Sequence, residues 1–276
     1  MTATRIVIEV VGSARISEAT SVANMLGLPL VYRDDQQTRG HLEAEFVLSF
    51  TDQRVELVPL WPQAPGPLYC DFRHGAGGFR IRHIHARHEL LLRVIRGRHA
   101  EGGWPNVLDA TAGLGRDTFL LAAAGCLVCP IERNPIVHAL LRSGLHQARA
   151  EPWLESIALR IEEPILGDTV TEIVRLVSQR QISVVYLDPM FASDALNGKP
   201  KKEMQILSRL VGEQTDNGHE LFAAARALTG VRVVVKRARH APPLAGAVPD
   251  RAVALRLAEG AGPRRIPAES RHRAGH

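Results

Sequence analysis

From about residue 105 to residue 235, short apolar runs alternate with longer stretches in which apolar residues recur at helical spacing. The runs predict strands at about 105–109, 126–131, 157–168, 183–187 and 231–235. The stretches predict helices at about 116–124, 135–142, 171–177, 203–211 and 219–228. Such alternation is typical of an α/β fold with a parallel-dominated, doubly wound sheet of the Rossmann-like kind.

The first part of the chain has a different pattern. A β-branched run at 5–11 is followed by a helical segment at 19–26, and two further strands at 45–50 and 54–60 flank a short polar turn. These elements predict a small α/β accessory domain over 1–72, before a main domain over 73–258. The polar end, 259–276, is expected to be a flexible tail.

Composition narrows the class of protein. The chain has 276 residues, 45% of them hydrophobic, a mean hydropathy of −0.05 and three cysteines. It contains no apolar run of the roughly 18 residues that a membrane helix needs, and its start does not resemble a secretory signal. We therefore expect a soluble, cytoplasmic protein without membrane association. The net charge of +5 and the pI of about 9.5 favour polyanionic partners, though only weakly.

The positive charge is concentrated in residues 73–99, here called the basic segment. It contains seven arginines and five histidines against one acid, Glu89. This density favours a surface that follows a phosphate backbone, with Phe72 and Phe79 available for stacking. The alternative is a solvated helix face. No cysteine or carboxylate set accompanies the histidines, so no metal site is predicted there.

The segment Asp109-Ala-Thr-Ala-Gly-Leu-Gly-Arg-Asp117 joins the first predicted strand of the main domain to its helix. Gly113 and Gly115 allow the backbone to turn tightly and to approach a ligand. Nucleotide-like ligands bind at such strand-to-helix turns. Thr118 stands where the dinucleotide fingerprint has its third glycine, so the turn alone does not define the ligand.

Two other strand ends carry candidate chemistry. Glu132 ends the second strand, where an acid can accept hydrogen bonds from ribose hydroxyls. Asp188-Pro-Met-Phe191 ends the fourth strand and resembles the motif of amino-group methyltransferases. In such a motif, Asp188 and the carbonyl of Pro189 would accept hydrogen bonds from the N–H groups of an exocyclic amine, and Phe191 would stack on the base. Cys126 and Cys129 lie in a buried strand pattern and are interpreted as core residues.

Five motifs, in order, resemble the RsmJ family of S-adenosylmethionine-dependent 16S rRNA (guanine(1516)-N2)-methyltransferases. They are Asp109 to Asp117, Glu132-Arg-Asn-Pro135, Val185-Tyr-Leu-Asp-Pro-Met-Phe191, Lys201-Lys-Glu-Met204 and Val233-Val-Val-Lys-Arg237. The resemblance implies a class I methyltransferase fold, S-adenosylmethionine as cofactor and small-subunit ribosomal RNA, or the small ribosomal subunit, as partner.

The glycine turn, the strand-end motifs, the distribution of basic residues and the resemblance together imply roles for individual residues. Expected cofactor contacts are Gly113, Gly115, Arg116, Asp117, Glu132, Arg133, Asp168, Thr169 and Asp188. Expected catalytic residues are Asp188, Pro189 and Phe191. Expected RNA contacts are Arg80, Arg82, Arg87, Lys201, Lys202, Lys236 and Arg237. No metal is expected.

Three other functions remain open on the sequence. An amino-methyltransferase could act on DNA adenine or on protein glutamine instead. An NAD(P)-dependent oxidoreductase would bind a nucleotide at the same turn, although no hydride-site residue pair accompanies it. A non-catalytic RNA-binding protein of ribosome assembly would need only the basic segment.

Overall fold

The structure is a computed structural model that describes residues 5–33, 44–84, 89–97, 103–189, 202–211 and 218–237. Within these ranges the strands form one sheet of four strands and one of five. None of the helices found there combines the length and the apolar character that crossing a membrane requires. The predictions for Arg87, Phe191, Lys201 and the tail fall outside the described residues.

The N-terminal sheet contains the strands predicted from the sequence and one more. Its elements are β1 (Ile6–Val11), α1 (Ile16–Leu26), β2 (Leu30–Tyr32), β3 (Phe46–Thr51) and β4 (Val55–Pro59). The strand order is β2-β1-β3-β4, and β3 pairs antiparallel with β4, as the hairpin pattern predicts. The three-residue β2 was not predicted, because it is too short to show a period.

The main sheet has five parallel strands in the order β7-β6-β5-β8-β9. Two helices in the basic segment, α2 (Gly75–Arg82) and α3 (Leu90–Arg96), precede it. The following elements are β5 (Asn106–Asp109), α4 (Arg116–Ala124), β6 (Leu127–Glu132), α5 (Pro135–Arg149), α6 (Glu155–Ala158), β7 (Ile165–Leu166), α7 (Thr169–Gln179), β8 (Val184–Leu187), α8 (Lys202–Val211), α9 (Gly218–Arg226) and β9 (Arg232–Val235). This confirms the predicted α/β fold class.

The third predicted strand of the main domain is wrong in its first half. Residues 155–158 form α6, and Ile161 makes only an isolated bridge to Val128. Leu154 and Ala158 are both fully buried. Because they are four residues apart, a helical turn brings both onto one face, whereas a short apolar run alone does not distinguish a helix from a strand.

Successive residues of the central strands point to opposite sides of the main sheet. In β8, Val184 and Tyr186 belong to the core shared with α4 and α5, whereas Val185 and Leu187 belong to the core shared with α7 and α9. Each strand is therefore apolar on both sides, which explains its uninterrupted apolar run.

The N-terminal sheet packs onto the main domain. Most of its buried apolar residues, among them Ile8, Phe46 and Leu57, belong to the same hydrophobic cluster as those of α4 and α5. The backbone N–H of Val55 donates a 2.9 Å hydrogen bond to the hydroxyl of Ser143. The boundary predicted near residue 72 stays a prediction. The two sheets are separate, but their cores are continuous.

Candidate functional site

The strand order of the main sheet reverses between β5 and β8, since the chain moves outward from β5 through β6 to β7 and resumes at β8 on the other side. In open α/β sheets, ligands bind beyond the carboxyl ends of the strands at such a switch point. Asp109, Glu132, Asp188 and Lys236 lie at or just after the carboxyl ends of β5, β6, β8 and β9.

The glycine turn between β5 and α4 is connected to the neighbouring strand. The N–H of Gly113 donates a 2.9 Å hydrogen bond to Glu132 Oε2, and the N–H of Asn134 donates one of 2.7 Å to Oε1. Burial raises the pKa of the Glu132 carboxyl, while these two hydrogen bonds act in the opposite direction. Glu132 therefore holds the turn in place from the end of β6.

The two glycines of the turn differ in their surroundings. Gly113 has φ 53°, and a Cβ there would meet nothing closer than the carbonyl of Thr111, at 3.9 Å. Gly115 has φ 73°, and a Cβ there would overlap Leu141 and lie 3.2 Å from Phe72 Cζ. Gly113 therefore leaves open space in front of the turn, whereas Gly115 allows α4 to pack closely against the core.

Asp188 follows β8 and is attached to the same turn. Its backbone N–H donates a 2.7 Å hydrogen bond to Thr111 Oγ1, while the N–H of Ala110 donates to the carbonyl of Tyr186. Thr111 thus connects the start of the Asp188-Pro189 motif to the glycine turn. Sequence reasoning missed this role, because a threonine among small turn residues has no distinctive pattern.

A group of charged and polar side chains surrounds Asp188. The ammonium of Lys236 lies 2.7 Å from Asp188 Oδ2 and 2.7 Å from Asp117 Oδ2. The hydroxyl of Tyr186 donates a 2.6 Å hydrogen bond to Asp117 Oδ2, and Arg80 Nη1 lies 3.8 Å from Asp117 Oδ1. The name acidic cluster is used here for this group, which consists of Asp117, Asp188, Lys236, Tyr186 and Arg80.

The charge states in and beside the acidic cluster follow from burial and proximity. Burial raises the pKa of Asp109 to about 7, although the hydroxyl of Thr118 donates a 2.5 Å hydrogen bond to its carboxyl group. Burial and the neighbouring carboxylates raise the pKa of Tyr186, which therefore stays a hydrogen-bond donor. Burial lowers the pKa of Lys236, but the carboxylates of Asp117 and Asp188 outweigh it and leave the pKa raised.

Two expected cofactor residues, Asp168 and Thr169, lie at the start of α7. Asp168 caps the helix by accepting a 2.8 Å hydrogen bond from the N–H of Val170. The buried hydroxyl of Thr169 donates a 2.7 Å hydrogen bond to the carbonyl of Ala110. Both side chains thus have structural partners next to the glycine turn, and their contact with a cofactor stays a prediction.

Arg116 is a third expected cofactor residue. It forms an ion pair with Glu203 of α8, a helix that follows the Asp188 motif in the sequence. The side chain of Arg116 is 61% exposed. Arg133 directly follows Glu132 at the end of β6. The structure places both near the carboxyl edge of the sheet, and their cofactor contacts also stay predictions.

The basic segment is partly exposed and partly core. Arg80 forms two hydrogen bonds with Glu89, of 2.9 and 2.7 Å, and Arg82 stacks over Trp153. Phe79 is 64% exposed. The prediction that Phe72 is available for stacking on a ligand is wrong, because Phe72 is buried and stacks on Phe119 with ring centroids 4.3 Å apart.

The cysteines are all free and buried. Burial raises the pKa of both Cys126 and Cys129 to about 12, which favours the unreactive thiol form. Their prediction as core residues is confirmed. Among the described residues, no group of three or more His, Cys, Asp or Glu side chains could hold a metal ion.

Comparison with known proteins decides the family. A family model described as "Putative SAM-dependent methyltransferase" matches residues 33–257. Ribosomal RNA small subunit methyltransferase J of Coxiella burnetii is 39% identical over 237 residues, which cover 86% of this chain and 88% of that protein. This chain belongs to the methyltransferase J family. The resemblance found in the sequence motifs is thereby confirmed.

Other members of the methyltransferase J family match over similar lengths. The Hahella chejuensis protein is 41% identical, covering 86% of each chain, and that of Pseudomonas aeruginosa is 37% identical, covering 90% of each. The crystal structure of a SAM-dependent methyltransferase from Neisseria gonorrhoeae has a TM-score of 0.62 and 29% identity, covering 88% of this chain and 89% of that one. The chain is accordingly an S-adenosylmethionine-dependent methyltransferase with a Rossmann-like fold.

The residues at the switch point fit S-adenosylmethionine chemically. Gly113 leaves space in front of the turn, and Glu132 supplies carboxylate oxygens of the kind that accept hydrogen bonds from ribose hydroxyls. Asp117 and Asp188 lie at the same edge of the sheet, where the ammonium of Lys236 contacts both carboxylates.

Proposed function

We propose that this methyltransferase J family member transfers a methyl group to the exocyclic N2 of a guanine in small-subunit (16S) ribosomal RNA, in the cytoplasm. The names of its relatives support the RNA substrate. The observation that carries the reaction type is the 2.7 Å hydrogen bond from the N–H of Asp188 to Thr111, which fixes the Asp188-Pro189 motif beside the glycine turn. The acceptor groups for an amine and the turn for the cofactor thus lie at one edge of the sheet.

The chain's own groups account for the activation of the amine. The lone pair of an exocyclic amine is delocalised into the ring, so the nitrogen is a poor nucleophile. Asp188 and the Pro189 carbonyl each accept a hydrogen bond from one N–H of the amine. These hydrogen bonds favour a pyramidal nitrogen whose lone pair is available. When bound, S-adenosylmethionine would supply an electrophilic methyl group on a sulfonium sulfur, and S-adenosylhomocysteine, a neutral thioether, would be the leaving group when the S–CH3 bond breaks. The surplus proton of the methylated nitrogen leaves to solvent, transiently through Asp188.

A guanine must leave its stack to reach this edge of the sheet, which is the general requirement for chemistry on a base. Phe191, which follows the motif, is the proposed stacking partner for the extruded base. Tyr186 and the apolar residues of β8 hold the strand that presents the motif, because all four residues of β8 are buried.

The helix α2 provides the proposed approach for the RNA. The exposed ring of Phe79 stacks on His83, with centroids 4.2 Å apart, and Arg80 and Arg82 follow on the same helix. Arg80 also connects α2 to Asp117 in the acidic cluster. Aromatic rings beside arginines bind single-stranded RNA through stacking and phosphate contacts. Lys202, at the start of α8, and Arg237, after β9, are proposed as further phosphate contacts.

The experiment is methylation of purified small-subunit rRNA and small ribosomal subunits with isotopically labelled S-adenosylmethionine, followed by nuclease digestion and mass spectrometry. N2-methylguanosine at a single site is expected with the wild type. Asp188→Ala should abolish the label while RNA affinity is retained, and Glu155→Gln, at an exposed position on α6, serves as a control substitution. Label in DNA adenine or protein glutamine instead, or near-normal turnover of Asp188→Ala, contradicts the proposal.

A further inference from the structure

Lys236 occupies an unexpected place for a basic residue of an RNA-modifying enzyme. It follows β9, yet its ammonium lies 2.7 Å from a carboxylate oxygen of Asp188, after β8, and 2.7 Å from one of Asp117, in the first turn of α4. The side chain is 42% exposed. One cation therefore joins three separate elements at the carboxyl edge of the sheet.

The expected role of Lys236 as a phosphate contact does not match these neighbours. Moving the ammonium to a phosphate would leave Asp117 and Asp188 without the cation between them, and buried Asp109 adds further negative charge when it ionises. Like charges at short range disfavour one another strongly in a partly buried site. Arg80, at 3.8 Å from Asp117, is already engaged by Glu89 through two hydrogen bonds and does not replace Lys236.

The position of Lys236 is itself well defined. The hydroxyl of Tyr186 donates to the same Asp117 oxygen that Lys236 contacts, so Asp117 is held from β8 as well as from β9. The backbone N–H of Lys236 donates a 2.8 Å hydrogen bond to the carbonyl of Leu187, the residue before Asp188. Backbone and side chain thus both tie Lys236 to the segment that carries Asp188.

We propose that Lys236 is a positioning residue for methyl transfer, which holds the Asp188 carboxylate in the orientation and charge state needed to accept an N–H of the target amine. The inference rests on the proposed function for the identity of that amine. Thr111 fixes the backbone of Asp188, and Lys236 fixes its side chain through Oδ2. A carboxylate has about four lone-pair sites, so a bond from Lys236 does not exhaust its capacity as an acceptor.

The two roles of Lys236 predict opposite results in single-turnover kinetics. With Lys236→Met, we expect the methyl-transfer rate at saturating RNA and cofactor to fall by about 100-fold, since small misplacements of reacting groups have effects of this size. RNA affinity and its salt dependence should stay near the wild-type values. Lys236→Arg should restore part of the rate, because it restores the cation but not the geometry of an ammonium.

Two further variants calibrate this comparison. Lys202→Met, at an exposed position on α8, is the model of a lost phosphate contact, for which weaker RNA binding and a salt slope reduced by about 1 are expected. Arg175→Gln, at an exposed position on α7, is the neutral control. If Lys236→Met behaves like Lys202→Met, the positioning role is overturned.

A measurement without catalysis separates this inference from the proposed function. The chain has four lysines, at 199, 201, 202 and 236, so ¹³C-methylated lysine NMR can follow each ammonium. The pKa of Lys236 should fall in Asp188→Asn and in Asp117→Asn, and an unchanged pKa in both overturns the inference. If the wild type methylates DNA or protein rather than rRNA, the proposed function fails and the rate comparison is made on that substrate. A wild type that transfers no methyl group overturns both.

Discussion

The hydroxyl of Thr111 and the backbone N–H of Asp188 form a 2.7 Å hydrogen bond between residues 77 positions apart in sequence. It joins the turn after β5 to the motif after β8, two strands that lie side by side in the sheet. Cofactor turn and acceptor motif are therefore a single structural unit, and a change in one is transmitted to the other.

Replacement of Thr111 by valine tests this connection. Valine keeps the shape but removes the acceptor, and an unsatisfied, partly buried N–H destabilises by about 1–3 kcal/mol. If the lost free energy instead raises the barrier to methyl transfer, because Asp188 is misplaced, kcat should fall by about tenfold or more. Steady-state kinetics on rRNA should show the loss, while Thr111→Ser, which retains the hydroxyl, should stay close to wild type. Equal kcat for the valine and serine variants contradicts the connection.

The raised pKa of Asp109, about 7, has a consequence for stability. An unfolded aspartate titrates near pH 4, at about 3.9. The folded state therefore binds the additional proton between about pH 4 and pH 7, and its free energy of unfolding falls as the pH rises through this window, by at most about 1.4 kcal/mol per pH unit.

Urea unfolding of wild type and Asp109→Asn at pH 5, 6, 7 and 8 measures this effect. Asparagine has nearly the same shape and no charge, so the difference between the two proteins isolates Asp109 from other titrating groups, including Glu132. The wild type should lose stability relative to the variant between pH 5 and pH 7. If the free energies of unfolding of the two proteins change in parallel with pH, the pKa of Asp109 is not raised by folding.

Alanine at each glycine of the turn should have a different effect. Gly115→Ala should lower the free energy of unfolding by about 1–3 kcal/mol, because a Cβ there overlaps Leu141 and overpacks the core. Gly113→Ala should destabilise by roughly 1 kcal/mol from its positive φ, but should weaken S-adenosylmethionine binding more than Gly115→Ala does. Denaturant unfolding and calorimetric titration measure the two effects, with Gly167→Ala as the tolerated control.

Phe79 in the basic segment and Phe72 just before that segment make a matched pair. Phe79→Ala removes a ring that is 64% exposed, so the fold should be unaffected, while RNA affinity should fall by about 1–3 kcal/mol if a base stacks there. Phe72→Ala removes a buried ring and should destabilise the fold by about 3–5 kcal/mol. Filter binding measures the RNA affinity and thermal unfolding measures the stability. Lost stability in Phe79→Ala together with lost RNA affinity and an intact fold in Phe72→Ala would contradict these roles.

The sequence predicted the features that depend on neighbouring residues along the chain. Apolar runs ending in Glu132 and Asp188 identified strand ends, and the glycines between Asp109 and α4 identified the turn. The main fold class and the family followed from these features.

Features that depend on distant residues were not predictable in the same way. Lys236 lies 119 positions from Asp117, and a lysine after a strand is typical of an exposed cation. Phe72 is buried because Phe119, in another element, covers it. Residues 155–158 form a helix because the core accepts Leu154 and Ala158 on the same side, which their apolar character alone does not determine.

The continuity between the two cores also bears on the order of synthesis. Val55, on β4, and its partner Ser143, on α5, are 88 residues apart. At translation rates of about 5–20 residues per second, Val55 leaves the ribosome roughly 4–18 s before Ser143. During that interval the apolar residues of the N-terminal sheet lack the helix that packs against them in the folded protein. We expect this stage of synthesis to be the one at which exposed apolar residues of the nascent chain most favour binding by chaperones.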